Sequence, residues 1–133
     1  MTATSPLVLG PLLRFVGEHH ATIWVETAGA ARVTVTADGR RWQAATFVVE
    51  GHHYALVLVD GLEAGREYTY SVHVDDALVW PLPGSGFPAS SFETLDHERP
   101  TLLAFGSCRT SVPHDAEHHA SHGVDALRTF ALA

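Results

Sequence analysis

The amino-acid sequence predicts an all-β sandwich, and two patterns in it carry the prediction. Short apolar segments follow one another over residues 7–95, separated by turn residues roughly every 8–12 positions. The segment Leu62–Tyr70 then gives a turn through Gly65, followed by a strand that begins near Tyr68. In β-sandwiches this is the pattern of a tyrosine corner, in which the hydroxyl reaches back to backbone groups near the turn. We therefore predict an immunoglobulin/fibronectin type III-like β-sandwich.

Eight segments of this region have the length and composition of strands. The predicted strands are, in order, Leu7–Val16, Ala21–Glu26, Ala31–Thr36, Arg41–Val49, Tyr54–Val59, Arg66–Val74, Ala77–Trp80 and Ser90–Leu95. Pro11 lacks the N–H that a ladder needs, so the first segment is predicted to be a kinked edge strand. Asp38 and Gly39 tolerate a positive φ, which predicts a tight hairpin turn after the third segment. In the second segment the alternation leaves the inward face open, but we expect Trp24 to be buried, because an indole gains more inside than exposed.

The composition limits the classes of partner. The chain has 133 residues, of which 46% are hydrophobic, as in globular proteins. Its net charge of −7, from 15 acidic and 8 basic side chains, argues against nucleic acid as a partner, because phosphate binding needs a basic face. The segment Met1–Pro6 has neither a basic region nor an apolar run, and no apolar stretch approaches the roughly 20 residues of a membrane span. We therefore expect a cytoplasmic protein with no membrane partner, and export stays open if the N-terminus has been trimmed.

The pattern changes at the polar segment Asp96–Pro100, which we take as the boundary between a sandwich domain over residues 1–97 and a C-terminal tail over residues 98–133. In the tail, Thr101–Phe105 is a continuous apolar run that suits a strand covered on both faces. Gly123–Ala133 has helical spacing. A strand and a short helix resemble the first unit of a larger α/β domain whose remainder is absent. Without that cover, the tail is predicted to form a homodimer contact or to be disordered.

Several segments resemble one enzyme family, the alkaline phosphatase D-like metallophosphatases. The segments that resemble its N-terminal domain are Leu9–Arg14, Ala21–Glu26, Gly51–Val57 and Leu62–Tyr70. Leu103–Arg109, with the sequence Leu-Ala-Phe-Gly-Ser-Cys-Arg, resembles the start of its catalytic domain. The resemblance implies a fibronectin type III-like sandwich that precedes a four-layer α/β core. Such a core cleaves phosphate monoesters or diesters with bound Ca, Fe, Mn or Zn ions.

The resemblance also implies a role for one residue. The cysteine that follows the first core strand is a metal ligand in this family, and the matching position here is Cys108. The other ligand motifs of the family (Asp-x-His, Gly-Asp-x-x-Asp, Gly-Asn-His and Gly-His-x-His) do not occur after Cys108. We therefore predict a non-catalytic N-terminal accessory domain whose partner is the missing catalytic domain, with no catalytic residue and no cofactor of its own. Cys108 would bind metal only in an intact parent, itself a phosphomonoesterase or phosphodiesterase. The alternative is a stand-alone β-sandwich module that binds carbohydrate or protein.

Three histidines recur every four residues in the tail: His114, His118 and His122. On a helix they would line one face, where imidazoles at positions i and i+4 can share a zinc ion. Pro113 and Gly123 argue against a continuous helix. We therefore favour a polar loop that contains histidines over a metal site.

Two other polar groups invite a catalytic or binding interpretation. Arg109, beside Gly106 and Ser107, could bind a phosphate with its guanidinium and the neighbouring backbone N–H groups. His52 and His53 could suggest a hydrolase pair, but neighbouring side chains on a strand point to opposite faces. We therefore expect the two imidazoles not to converge on one substrate.

The large aromatic residues have two interpretations. Trp24, Trp42 and Trp80, together with Phe87, could form a platform on which a sugar ring stacks. Packing in the core or between domains is the more common role of such residues. The sequence favours the packing role.

Overall fold

The computed structural model of the chain describes residues 6–101, 105 and 112–132. Contacts within the chain form two compact units: the described residues up to Ser85 together with Ala89–Pro100, and Gly86–Pro88 together with residues from Thr101 onward. The elements, in order, are β1 (Leu7–Val16), β2 (His20–Thr27), β3 (Arg32–Ala37), β4 (Arg40–Ala45), β5 (Phe47–Val49), β6 (His52–Asp60), β7 (Glu67–Val74), β8 (Ala77–Trp80), β9 (Ser91–Glu93), α1 (Ala116–His122) and α2 (Ala126–Leu132).

The first unit is a β-sandwich, which confirms the predicted fold class. The first sheet has the strand order β1-β2-β6-β5, and the second has the order β4-β3-β7-β8, with β9 also paired to β7. The paired strands are antiparallel. Short strands joined by turns can therefore build the whole unit.

The core between the sheets is made mainly of β-branched side chains. Its largest fully buried members are Ile23, Val25, Val33, Val35, Val57, Val59 and Val72. The expected burial of Trp24 is wrong: the indole is only partly buried and lies on the outer face of the first sheet. Ile23 and Val25 occupy the inward positions of β2 instead. Side chains alternate across a strand, so the residue between these two must point outward.

The tyrosine corner forms as predicted. The Tyr68 ring is 4% exposed, and its hydroxyl accepts a hydrogen bond of 2.8 Å from the Glu63 backbone N–H. Gly65 has a φ of 64°, which a residue with a Cβ rarely adopts. Buried Thr94 reinforces the corner, since its Oγ1 donates to the Glu63 carbonyl at 2.6 Å and accepts from the Arg66 N–H at 3.0 Å. The turn is thus held by side-chain hydrogen bonds from two elements.

The segment predicted as one strand over residues 41–49 divides between the two sheets. β4 pairs with β3 in the second sheet, whereas β5 pairs with β6 in the first. Thr46 lies at the crossing, where its N–H donates to the Ala31 carbonyl and its Oγ1 accepts from the Ala31 N–H. The predicted hairpin turn is confirmed, with positive φ at both Asp38 and Gly39.

The second unit contains two short helices. The favoured polar loop over the histidines is wrong, because α1 forms there, with Asp115 as its N-cap and Gly123 at its C-terminal end. Pro113 precedes the helix and Gly123 follows it, so these residues bound α1 and do not interrupt it. Helical spacing near the C-terminus is confirmed by α2. The predicted strand over residues 101–105 falls largely outside the described residues.

Candidate functional site

The outer face of the first sheet is mostly apolar. Register places Trp24 opposite Leu56, and Thr22 opposite Leu58. We call this surface the apolar face. Its apolar members are Leu9, Leu12 and Phe15 on β1, Trp24 on β2, Phe47 and Val49 on β5, and Tyr54, Leu56 and Leu58 on β6.

These side chains are exposed to solvent at positions where a two-layer sandwich normally carries polar residues. Leu56 and Leu58, on the central strand β6, are 48% and 53% exposed. Their neighbours on β1 and β5 are exposed to a similar degree. Because the members are cross-strand neighbours, they form one continuous patch. Patches of this kind on soluble proteins mark sites of interaction.

The outer face of the second sheet has the opposite character. Its central positions carry mostly hydroxyl, amide and imidazole side chains, namely Thr34, Thr36, Gln43, Thr69, Ser71 and His73. The Gln43 amide donates a hydrogen bond of 3.1 Å to the Thr34 hydroxyl. An apolar exception, Leu78, lies on the edge strand β8. The sandwich is therefore asymmetric, with one outer face suited to water and the other suited to burial.

Aromatic rings stack upon one another along the apolar face. The Tyr54 ring stacks with Trp24 at a centroid distance of 5.4 Å and with His52 at 6.0 Å. Phe47 contacts Tyr54 in a tilted arrangement at 6.1 Å. A sugar ring binds to the open face of an aromatic ring, and here ring faces are already engaged by neighbouring rings. Fewer ring faces are therefore open to a sugar on this surface than three isolated aromatic side chains would offer.

One ionisable pair lies within the apolar face. Glu26 is 7% exposed, and His52 Nδ1 donates a hydrogen bond of 2.6 Å to its Oε1. A buried carboxylate is costly unless it is paired. The imidazole supplies that pairing, so Glu26 does not need a partner molecule to satisfy it. His53 points to the other side of β6, which confirms that the two neighbouring histidines do not converge.

The structure does not assemble the three tryptophans into one platform. The Trp42 indole N–H donates to Asp60 Oδ1 at 2.9 Å, and that of Trp80 donates to Ser90 Oγ at 2.7 Å. Both indoles pack against the core, as the packing interpretation predicted. Only Trp24 lies on an outer face, and Phe87 belongs to the second unit. The three tryptophans therefore do not form one sugar platform in the described sandwich.

In the tail, the described residues do not form a metal centre. His118 and His122 both lie on α1, with ring centroids 6.3 Å apart, but His114 precedes the helix. Hydrogen bonds from the His118 backbone N–H and from its ring lower the pKa of the Asp115 carboxyl. Over residues 6–101, 105 and 112–132, no three His, Cys, Asp or Glu side chains are arranged to hold a metal ion.

The remaining predicted site residues lie outside the described residues. These are Cys108, and Arg109 with its neighbours Gly106 and Ser107. The suggested metal ligand and phosphate site therefore stay predictions.

One segment of the sequence indicates the apolar face. Tyr54–Val59 is continuously apolar and not alternating, so both faces of that strand are apolar. Such runs are typical of strands covered on both sides.

Among the described helices, none has the length and apolarity to cross a membrane.

Comparisons with known proteins give one match. The family model for a domain of unknown function, DUF7800, matches residues 4–92. No curated protein and no solved structure matches the chain. The matched residues include strands β1 to β8 and every member of the apolar face. The chain therefore belongs to the DUF7800 family.

Proposed function

We propose that the chain is the non-catalytic N-terminal accessory domain of an alkaline phosphatase D-like phosphoesterase, and that it supports the metal-dependent hydrolase core. The observation that carries the proposal is the order of the chain: Leu103–Arg109, the segment that resembles the start of the catalytic domain, follows directly after the sandwich.

In the parent enzyme, the chemistry would belong to the core. The bound metal ions of that family supply a Lewis acid and an activated water for attack on phosphorus. The thiolate of Cys108 would be one ligand, and the described part of this chain assembles no further set. The role of the sandwich is then mechanical: its hydrogen-bonded corner and valine core make it a rigid support. A cytoplasmic location belongs to the same proposal.

Two experiments test the accessory role. The purified chain, assayed with p-nitrophenyl phosphate and bis-p-nitrophenyl phosphate in the presence of Mn²⁺, Ca²⁺ or Fe³⁺, should release no nitrophenol above the protein-free blank. Turnover at enzyme-like rates would disprove a non-catalytic domain. Sequencing the genomic reading frame past Ala133 should reveal the metal-ligand motifs of the family. An unrelated domain in that frame would exclude the phosphoesterase parent.

A stand-alone binding module is the second candidate, and the exposure of the apolar face favours it. The stacked rings of Trp24, Tyr54 and His52 point to a protein ligand. Acrylamide quenching of tryptophan fluorescence tests whether the apolar face is open to a ligand, because Trp24 is the one tryptophan of the three that lies on an outer face. At concentrations at which the chain is monomeric, we expect Trp24→Phe to lower the fraction of quenchable fluorescence. Calorimetric titration with gluco- and xylo-oligosaccharides should show no heat of binding, and saturable binding would favour a carbohydrate module.

A further inference from the structure

We propose that the apolar face is a dimerisation surface, and that its occupant is the same face of a second copy of this chain. The two sandwiches would pack sheet against sheet through their first sheets. This differs from the predicted contact through the tail. It goes beyond the accessory role and does not depend on the identity of the enzyme, because it concerns only the sandwich.

The size of the face fits a dimer. Seven of its nine apolar side chains are about half exposed, and Trp24 and Tyr54 are partly exposed. A large side chain has on the order of 150–250 Å² of surface, so the face offers roughly 600–800 Å². A stable specific interface buries about 800 Å² per partner. Covering the face with an equal face therefore reaches the usual size, whereas a short peptide would leave much of it in water.

The shape of the face also fits a second copy. Two sheets pack face to face at about 10 Å with their strands within roughly 30° of each other, which is the geometry of a sandwich core. A two-fold axis in the plane between two copies makes such an interface self-complementary. The Trp24–Leu56 pair lies at the centre of the face, with Leu12 on one side and Phe47 toward the other. The largest side chain would thus be placed where burial is most complete.

The charges of the face permit self-association. Two acidic side chains lie at outer positions of this sheet: Glu26 is hydrogen-bonded to His52, and Asp60, opposite His20 at the end of β6, accepts a hydrogen bond from the Trp42 indole. Glu26 lies one position away, on the same face, from the central Trp24–Leu56 pair. A two-fold axis through that pair places Glu26 opposite Tyr54 or Thr22 of the second copy, depending on whether the axis runs along or across the strands. Like charges therefore do not meet.

Other occupants fit less well. A membrane surface attracts proteins through basic residues, and this chain has a net charge of −7. A sugar needs open ring faces, which the stacking of Tyr54 with Trp24 and His52 reduces. The overall negative charge opposes dimerisation only at long range, where salt screens it. An apolar dimer of this chain should therefore be as strong or stronger in high salt.

Sedimentation velocity of the full chain between 1 and 100 µM tests the proposal. The wild type should be a dimer at the upper concentration. Leu56→Glu, at the centre of the face, should weaken the dimer at least tenfold. Thr69→Glu adds the same charge to the polar outer face of β7 and should leave the dissociation constant unchanged, as should Leu127→Glu on α2. Circular dichroism and thermal melting check the fold of each variant.

Clear outcomes would overturn the proposal. A wild type that is monomeric at 100 µM excludes it. A dimer that withstands Leu56→Glu but is lost in Leu127→Glu assigns the contact to the tail instead. If Leu56→Glu fails to fold, Leu12→Gln on the edge strand β1 replaces it with the same expected result. A tenfold loss of affinity between 50 and 500 mM NaCl would contradict an apolar interface.

Discussion

Replacing Tyr68 with phenylalanine removes a single oxygen atom and should lower the free energy of unfolding by about 1.5 kcal/mol. The lost hydroxyl accepts a 2.8 Å hydrogen bond from the Glu63 N–H. Such a bond is worth roughly 0.5–1.5 kcal/mol net, and an amide left unsatisfied in a buried site costs roughly 1–3 kcal/mol. The corner is only partly buried, so water can reach the freed N–H to some extent. The expected decrease of about 1.5 kcal/mol therefore lies at the upper end of the first range and in the lower part of the second. The ring itself stays, and with it the stacking on Phe92 at 5.8 Å.

Urea unfolding followed by tryptophan fluorescence and far-UV circular dichroism measures this effect. The midpoint should fall while the m-value stays constant, because the surface exposed on unfolding does not change. For a domain of this size, 1 kcal/mol corresponds to about 4–8 °C, so the melting temperature should fall by roughly 6–12 °C. Tyr54→Phe is the matched control, because its hydroxyl makes no hydrogen bond within the described part of the chain. It should change stability by less than about 0.5 kcal/mol. Equal effects of the two variants would refute the reasoning about the corner.

Three further predictions concern the same sandwich. Thr94→Val keeps the shape of the side chain but leaves the Glu63 carbonyl and the Arg66 N–H without their partner. Urea unfolding should therefore show a free energy of unfolding lower by about 2 kcal/mol. A decrease below about 0.5 kcal/mol would mean that water replaces the hydroxyl. Gly10→Ala would place a Cβ 2.8 Å from the Trp24 carbonyl oxygen at a φ of 94°. Thermal melting should therefore show a free energy of unfolding lower by at least about 1 kcal/mol. Gly29→Ala is the control, because its Cβ would meet no atom within 4 Å, and it should leave the stability nearly unchanged. Burial raises the pKa of Tyr70 above its ordinary value of 10.0. Because the folded-state pKa is the higher one, the stabilisation is complete below about pH 10 and is lost as the pH rises through the folded-state value. Unfolding free energies at pH 8 and pH 11 should therefore differ less in Tyr70→Phe than in the wild type, and an equally steep alkaline loss in both would contradict this.

The sandwich was predictable because local and global signals agree in it. Alternating valines and the Gly-containing corner indicate strands and a specific turn, and the structure contains both. The division of residues 41–49 between two sheets was not predictable from the local pattern. It depends on which strands lie beside β4 and β5, and on the hydrogen bonds between Thr46 and Ala31. Pairing partners far apart in sequence leave no trace in the alternation of a single segment.

The predictions for Trp24 and for α1 are wrong for separate physical reasons. Trp24 was expected inside because an indole gains from burial, yet the residues on either side of it fill the core. β2 is apolar on both faces, so periodicity could not decide between them. For α1, Pro113 and Gly123 argue against a helix when the sequence is considered alone. Both lie outside the helix, where proline and glycine are tolerated, and the capping residue Asp115 was the positive signal.

The apolar face follows from the same ambiguity. A strand of a two-layer sandwich needs one apolar face, and β6 has two: Ala55, Val57 and Val59 fill the core, while Leu56 and Leu58 face outward. Residues apolar on both sides are the composition of a sheet at the middle of three layers. The second sheet, with threonine and serine outside, has the composition of an outer layer. The first sheet of the described sandwich thus has the composition of a middle layer, which another folded surface would complete. The dimer proposal identifies that surface as the equivalent sheet of a second copy, which would make each first sheet the cover of the other.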